Sequence, residues 1–83
     1  MQFHTFSLSR TIHSVLLTPH AARRCQTRQI DWIDIASTLR QPWLAFPTYY
    51  GRRHLVNKHG LHLIVREEAT TLVILTAYWK ISA

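Results

Sequence analysis

The fold is decided by residues 61–78, which read Leu61-His-Leu-Ile-Val-Arg66, Glu67-Glu-Ala-Thr70 and Thr71-Leu-Val-Ile-Leu-Thr-Ala-Tyr78. The first segment predicts a strand, the second a turn, and the third the strongest strand of the chain. The third segment is continuously apolar from Leu72 to Leu75, which is typical of a central strand that is buried on both faces. An antiparallel hairpin therefore stands at the centre of the predicted sheet.

Two weaker strands precede this hairpin. Residues 52–57 form one of them, directly after Gly51, and the turn Lys58-His59-Gly60 joins them to the strand at Leu61, with glycine supplying the positive φ. Residues 44–49 form a weaker strand because Pro47 interrupts it. The sequence thus predicts a meander of three or four antiparallel strands.

Helices are predicted before the meander. Thr18-Pro19 is a helix start, with a hydroxyl at the N-cap and proline at the first helical position, and the helix extends to Arg28. Asp31 caps a second helix that runs to Leu39 and is closed by Pro42, and a short strand is expected within residues 12–17. The prediction is one α+β domain over residues 1–83, with two N-terminal helices packed on a three- to four-stranded antiparallel sheet.

Composition limits the possible functions. The chain has 83 residues and a formal net charge of +6, with ten Lys and Arg against four Asp and Glu. Such a surface attracts RNA, DNA, acidic proteins or anionic lipid, and the predominance of arginine favours nucleic acid because guanidinium matches phosphate. The four carboxylates are too few for a nuclease with two carboxylate-held metal ions, and the length leaves no room for a two-domain enzyme.

The chain also gives few signals for metal binding, disulfides or membranes. Cys25 is the only cysteine, which excludes an internal disulfide and a Cys-rich zinc site, and its place in the first helix indicates packing. No apolar run approaches a membrane span, and the first residues lack the features of a signal peptide. We therefore expect no metal, no membrane contact and a cytoplasmic location.

One helix face carries an unusual set of polar residues. His20, Arg24 and Arg28 are spaced four apart, so a helix places them in line on one face, beside the further basic residue Arg23. A bound phosphate would compensate the repulsion between these cations. The alternative interpretation is a solvated surface, or a pair between Arg24 and Asp34.

A second basic cluster is Tyr49-Tyr50-Gly51-Arg52-Arg53-His54, extended by Lys58. Aromatic residues beside arginines suit an RNA surface, where bases stack and phosphates pair with guanidinium. The same residues also fit a plain strand start followed by a charged edge that discourages aggregation. Thr76 and Tyr78 share a face at the end of the last strand, where they either reach a site or serve only as good strand formers.

The order of these residues resembles a small bacterial family of domains of unknown function. Residues 18–30 fit the pattern Thr-x-His-Ala-x-x-Arg-x-x-x-Arg-x-Ile, and residues 73–78 resemble a closing Val-Val-Thr-x-Tyr strand, so the likeness spans residues 16–79. Gln29 stands where the family usually has glycine. That family is similar in fold to the RelE-like branch of the barnase/EndoU/colicin/RelE superfamily, which consists of small metal-independent ribonucleases that often act as toxins.

The resemblance implies a metal-independent endoribonuclease of toxin type, without a cofactor, in which the 2′-OH of RNA attacks the adjacent phosphorus. It implies RNA as the substrate and an acidic antitoxin or immunity protein as the partner. The alternative is a non-catalytic module of the same fold that binds nucleic acid or protein. The expected catalytic residues are His20, Arg24, Arg28, His54, Thr76 and Tyr78, and the expected nucleic-acid-binding residues are Arg23, Tyr50, Arg52, Arg53 and Lys58.

Overall fold

The computed structural model describes residues 2–80, which form one six-stranded mixed sheet with two α-helices. Within that range, no helix has the length and apolar character needed to cross a membrane. A short 3₁₀ turn at Tyr49–Gly51 connects the third and fourth strands. The elements in chain order are β1 Gln2–Thr5, β2 Ser14–Leu17, α1 Pro19–Thr27, α2 Trp32–Arg40, β3 Leu44–Pro47, β4 Arg52–Val56, β5 Leu61–Glu68 and β6 Thr71–Trp79.

The expected RelE-like arrangement of two N-terminal helices on a three- to four-stranded antiparallel sheet is wrong. Two strands precede the helices, and the sheet order is β1-β2-β6-β5-β4-β3. β2 pairs with β6 in parallel, from Ser14 opposite Thr71 to Leu17 opposite Ile74, and β1 pairs antiparallel with β2. The hydrophobic pattern identified the strands joined by tight turns, but it carried no signal for a pairing between segments so far apart in the chain.

The central strand β6 behaves as its continuous apolar run predicts, because it lies between β2 and β5. A β-bulge interrupts its pairing with β5: Ile64 lies opposite Thr76, whereas Val65 lies opposite Ile74. Leu75 is therefore the extra residue.

Proline is tolerated in β3 because Pro47 is the last residue of a strand at the edge of the sheet.

Both helices pack on one face of the sheet. The side chains that point to this face alternate along the strands and include Leu17, Leu63 and Ile74, which are at most 1% exposed. Ala21 and Cys25 of α1 and Ile35 of α2 bury their side chains against them. Burial of this apolar surface is the main source of stability in a domain of this size.

The other face of the sheet carries no helix. The register places His54, Ile64 and Thr76 side by side on it, and Val56, His62 and Tyr78 in the next row. These side chains are at most partly covered, apart from Val56, which is buried. We call this surface the open face.

Candidate functional site

His20 reaches the open face from the first turn of α1. The Thr18 side chain caps this helix by accepting a hydrogen bond from the backbone N–H of Ala21 at 3.1 Å, and it donates to the carbonyl of Leu75 at 3.3 Å. The cap thereby ties the start of α1 to the bulge in β6. Two residues later, His20 Nε2 lies 3.3 Å from Thr76 Oγ1.

A continuous row of rings crosses four neighbouring strands beside this contact. The ring of Phe46 lies 4.8 Å from that of His54, the His54 ring lies 5.0 Å from that of His62, and the His62 ring stacks on Tyr78 at 4.8 Å with an interplanar angle of 12°. Tyr78, at the end of the row, is two residues from Thr76 on β6, which corresponds to about 6.6 Å between their Cα atoms along the strand.

Two imidazoles in this row are hydrogen-bonded to each other. His54 Nε2 and His62 Nδ1 are 2.8 Å apart, so one of these nitrogens carries the proton and the other accepts it. Burial lowers the pKa of His54, with a further contribution from the positive charge of Lys80. Burial also lowers the pKa of His62, followed by the charges of His54 and Lys80. Both rings are therefore held in the neutral state at neutral pH.

The arginines divide between those held by acids and those that are not. Arg53 pairs with Glu67 at 3.6 Å, and its neighbour across the sheet, Val65, points to the helical face, so Arg53 lies away from the ring row. Arg66 pairs with Glu68 at 2.6 Å. Arg52 is exposed on the open face, two residues from His54, and no ion pair is found for it among residues 2–80.

The predicted stripe is only partly helical, because α1 ends at Thr27 and Arg28 lies just beyond it. Arg23 and Arg24 are exposed on the helix, and Arg24 follows His20 by one turn, a spacing that brings Cβ atoms to about 5–6 Å. Arg28 is the C-cap residue, and its carbonyl accepts a hydrogen bond from the indole of Trp79 at 3.3 Å. The proposed pair between Arg24 and Asp34 does not occur; the Asp34 carboxylate instead accepts from the backbone N–H of Asp31.

The tip of the β3–β4 hairpin presents two tyrosines to solvent. Tyr49 is 84% exposed and Tyr50 89% exposed, with their ring centroids 6.5 Å apart. Tyr50 has a φ of 62°, in the left-handed region that is costly for residues with a Cβ. Lys58 lies exposed at the other end of β4, in the turn to β5.

The structure thus brings His20, Thr76, Tyr78 and His54 onto one surface and places Arg53 elsewhere. It adds His62, which the sequence analysis did not select. The signal was available: the turn at residues 58–60 fixes the pairing of Val56 with His62, which makes His54 and His62 diagonal neighbours.

Other chemistry-bearing side chains are arranged differently. Within the described part of the chain, no three His, Cys, Asp or Glu side chains converge in a way that would hold a metal ion. Cys25 is buried in the core, and this burial raises the pKa of its thiol. It packs as the sequence indicated, and a raised pKa disfavours the reactive thiolate.

Residues 17–79 match the family described as Domain of unknown function (DUF4258). This segment contains both helices and β3 to β6, together with the complete row of rings. Searches of curated proteins and of solved structures gave no significant match.

Proposed function

This chain belongs to the DUF4258 family, and we propose that its open face binds single-stranded RNA and cleaves it by attack of the 2′-OH on the adjacent phosphorus. The observation that carries the proposal is the presence of two separate imidazole groups on one exposed, basic sheet face. His20 is held by Thr76, and His62 is held by His54 and stacks on Tyr78, which is two residues from Thr76 on β6.

RNA fits this surface in charge and in shape. An open sheet face with exposed rings stacks unpaired bases, whereas a duplex would hide its bases from such a surface. Arg52 and Arg24 stand on either side of the imidazoles and are suited to the phosphate backbone, because guanidinium donates paired hydrogen bonds to phosphate oxygens. The net charge of +6 supplies general attraction to the polyanion.

The neutral His62 is suited to accept the first proton. When its Nδ1–H donates to His54 Nε2, the lone pair is on Nε2 of His62, which is then free to take the proton of the 2′-OH. The 2′-oxygen forms a bond to phosphorus, and the arginines stabilise the charge that develops on the phosphoryl oxygens. His62 is thus the general base, and His54 orients its ring.

His20 is suited to the second proton transfer. As the bond from phosphorus to the 5′-oxygen breaks, an imidazolium at His20 gives its proton to that oxygen, and the Thr76 hydroxyl keeps the ring in place. The products are a 2′,3′-cyclic phosphate and a free 5′-hydroxyl. His20 ends neutral and His62 ends protonated, and exchange with water resets both.

Three further considerations support this assignment. The chemistry needs no group beyond the side chains named, and proton transfer by a positioned side chain contributes about 10²–10⁴-fold to a rate. His20, Arg24 and Arg28 stand at the polar positions of the Thr-x-His-Ala-x-x-Arg-x-x-x-Arg-x-Ile pattern, and Thr76 stands at the threonine of the closing-strand pattern. An acidic antitoxin or immunity protein is the partner expected for such a surface, because it would compete with RNA for the same cations.

The test is cleavage of labelled RNA in the presence of EDTA by the wild-type protein and by His20→Ala and His62→Ala. We expect cleavage by the wild type and a loss of about 10²-fold or more in each variant, with binding of non-cleavable 2′-O-methyl RNA retained. His13→Ala is the matched control. His13 is an exposed histidine whose backbone N–H bonds the carbonyl of Thr70, just before β6 begins and at the end of β6 opposite to Tyr78. We expect its removal to leave the rate unchanged.

The outcomes separate the alternatives. Salt-sensitive RNA binding without cleavage in the wild type would refute the catalytic part and leave a nucleic-acid-binding module. Absence of both binding and cleavage would refute the proposal as a whole. Equal cleavage by wild type and His20→Ala would place the reaction elsewhere on the molecule.

A further inference from the structure

A groove lies on the open face at the β3 edge of the sheet, next to the groups used in the proposed reaction. Its volume is about 390 Å³, and it is lined by Trp43, Leu44, Phe46 and His62, with Lys58 and Lys80 at its rim. Phe46 and His62 also belong to the row of rings. The groove is therefore continuous with the proposed reaction site.

The groove has large apolar side chains that the fold leaves uncovered. Trp43 is 70% exposed and Phe46 is 44% exposed. Adjacent exposed rings of this size mark a binding surface more often than isolated ones do. Lys58 and Lys80 add positive charge next to the rings.

We infer that this groove is a nucleobase subsite, which holds a base adjacent to the cleaved linkage by stacking on Trp43 and Phe46 while Lys58 and Lys80 contact its phosphate. The inference rests on the proposed function and specifies where the neighbouring nucleotide lies. A nucleotide chain presents a ring and an anion in every residue, which matches the combination of rings and lysines in the lining of this groove.

The polar groups of the groove indicate that it accepts different bases. The side chain of Asn57 donates to Thr38 Oγ1 at 3.1 Å and accepts from the backbone N–H groups of His59 and Leu61 at 2.8 and 2.9 Å. The oxygen of its amide and one of its two N–H groups are thus used inside the fold, so Asn57 offers one remaining donor to a base. Stacking is therefore the main contact of the base in this groove, and stacking tolerates every base, since each has a π face.

The surrounding charge argues against a second copy of this chain as the occupant. A second copy seated in this groove would bring a chain of net charge +6 against Lys58 and Lys80. An acidic peptide would satisfy the lysines, but it offers rings only in particular sequences. We therefore treat peptide binding as an outcome of the test.

The experiment measures binding of fluorescently labelled 2′-O-methyl oligouridine and oligoadenosine by anisotropy. Trp43→Ala is expected to weaken binding of both by at least about fivefold, the lower end of the effect of removing a stacking platform. Trp43→Phe, which keeps a ring, recovers most of the affinity. Ile33→Ala is the matched control, because Ile33 is 76% exposed and belongs to α2 on the helical side of the sheet.

Each result decides between the two proposals. If the wild type binds and Trp43→Ala binds as tightly as Ile33→Ala, the subsite is refuted while RNA binding by the open face stands. A large preference between uridine and adenosine would also contradict it, since the groove then reads base edges. If the wild type binds neither oligonucleotide but binds an acidic peptide through Trp43, both the subsite and the proposed function fail.

Discussion

The cap of α1 connects the fold to the proposed chemistry, and Thr18→Ala tests that connection. The Thr18 hydroxyl makes two hydrogen bonds, one from Ala21 N–H at 3.1 Å and one to the Leu75 carbonyl at 3.3 Å. Both disappear in the alanine variant. The backbone bond from Thr18 N–H to Ile74 at 3.2 Å remains, so the helix stays attached while its first turn loosens.

The expected loss follows from these bonds. Replacing an N-cap threonine by alanine costs about 1 kcal/mol, and a long hydrogen bond to a carbonyl adds roughly 0.5 kcal/mol. For a domain of this size, 1 kcal/mol corresponds to roughly 4–8 °C in Tm, so we expect a fall of about 6–12 °C. Because His20 lies in the first turn of α1, which Thr18 caps, we also expect RNA cleavage by Thr18→Ala to fall.

Thermal unfolding followed by circular dichroism, with RNA cleavage measured below the transition, provides the assay. Thr18→Ser keeps the oxygen and is expected to restore both stability and cleavage. Thr27→Ala is the matched control, since Thr27 bonds the Arg24 carbonyl at an exposed site near the end of α1 and its loss costs within about 0.5 kcal/mol. Equal Tm values for the two alanine variants would refute the capping argument.

Three further predictions concern the core, the imidazole pair and the hairpin tip. Leu63→Ala, at a fully buried site, is expected to lower the free energy of unfolding by about 2–5 kcal/mol in urea titrations, and an unchanged midpoint would contradict the assignment of the core. Because the pKa values of His54 and His62 are lowered from 6.5, the unfolded chain binds protons first as the pH falls below that value. The contribution of these two histidines to the free energy of unfolding is therefore complete above pH 6.5 and decreases as the pH falls. In His62→Gln this decrease is expected to be shallower. An identical pH profile in the variant would argue against the lowered pKa of His62. Tyr50→Gly removes the cost of a positive φ and is expected to raise stability by up to about 1 kcal/mol while weakening RNA binding, whereas a less stable variant would show that the Tyr50 ring supports the fold.

Local signals in the sequence predicted the elements that depend on nearby residues. The Thr18-Pro19 start of α1 and the turn before Leu61 are both present, because capping and turn formation act over a few positions. The apolar run of β6 correctly predicted a central strand, since burial on both faces removes the usual alternation.

The rest depends on contacts between distant segments. β1 exposes most of its residues, so its pattern carries little signal, and the parallel pairing of Ser14–Leu17 with residues 71–74 leaves no mark on either strand alone. His62 is an exception, because the turn at residues 58–60 places it diagonally across from His54, and this local signal was overlooked. His20 and Thr76 were both selected from the sequence because each lies at a position of the family pattern, and the structure places them in contact.

The most direct test of the central claim uses a short oligonucleotide that contains a single ribonucleotide in an otherwise deoxyribonucleotide strand, incubated with the protein and EDTA. Mass spectrometry of the products is expected to show cleavage only on the 3′ side of the ribonucleotide, leaving a 2′,3′-cyclic phosphate and a 5′-hydroxyl, and none of this product with His20→Ala. Cleavage at deoxyribonucleotide linkages, a product with a 5′-phosphate, or an intact strand with an RNA-binding wild-type protein would contradict cleavage by the 2′-OH on the open face.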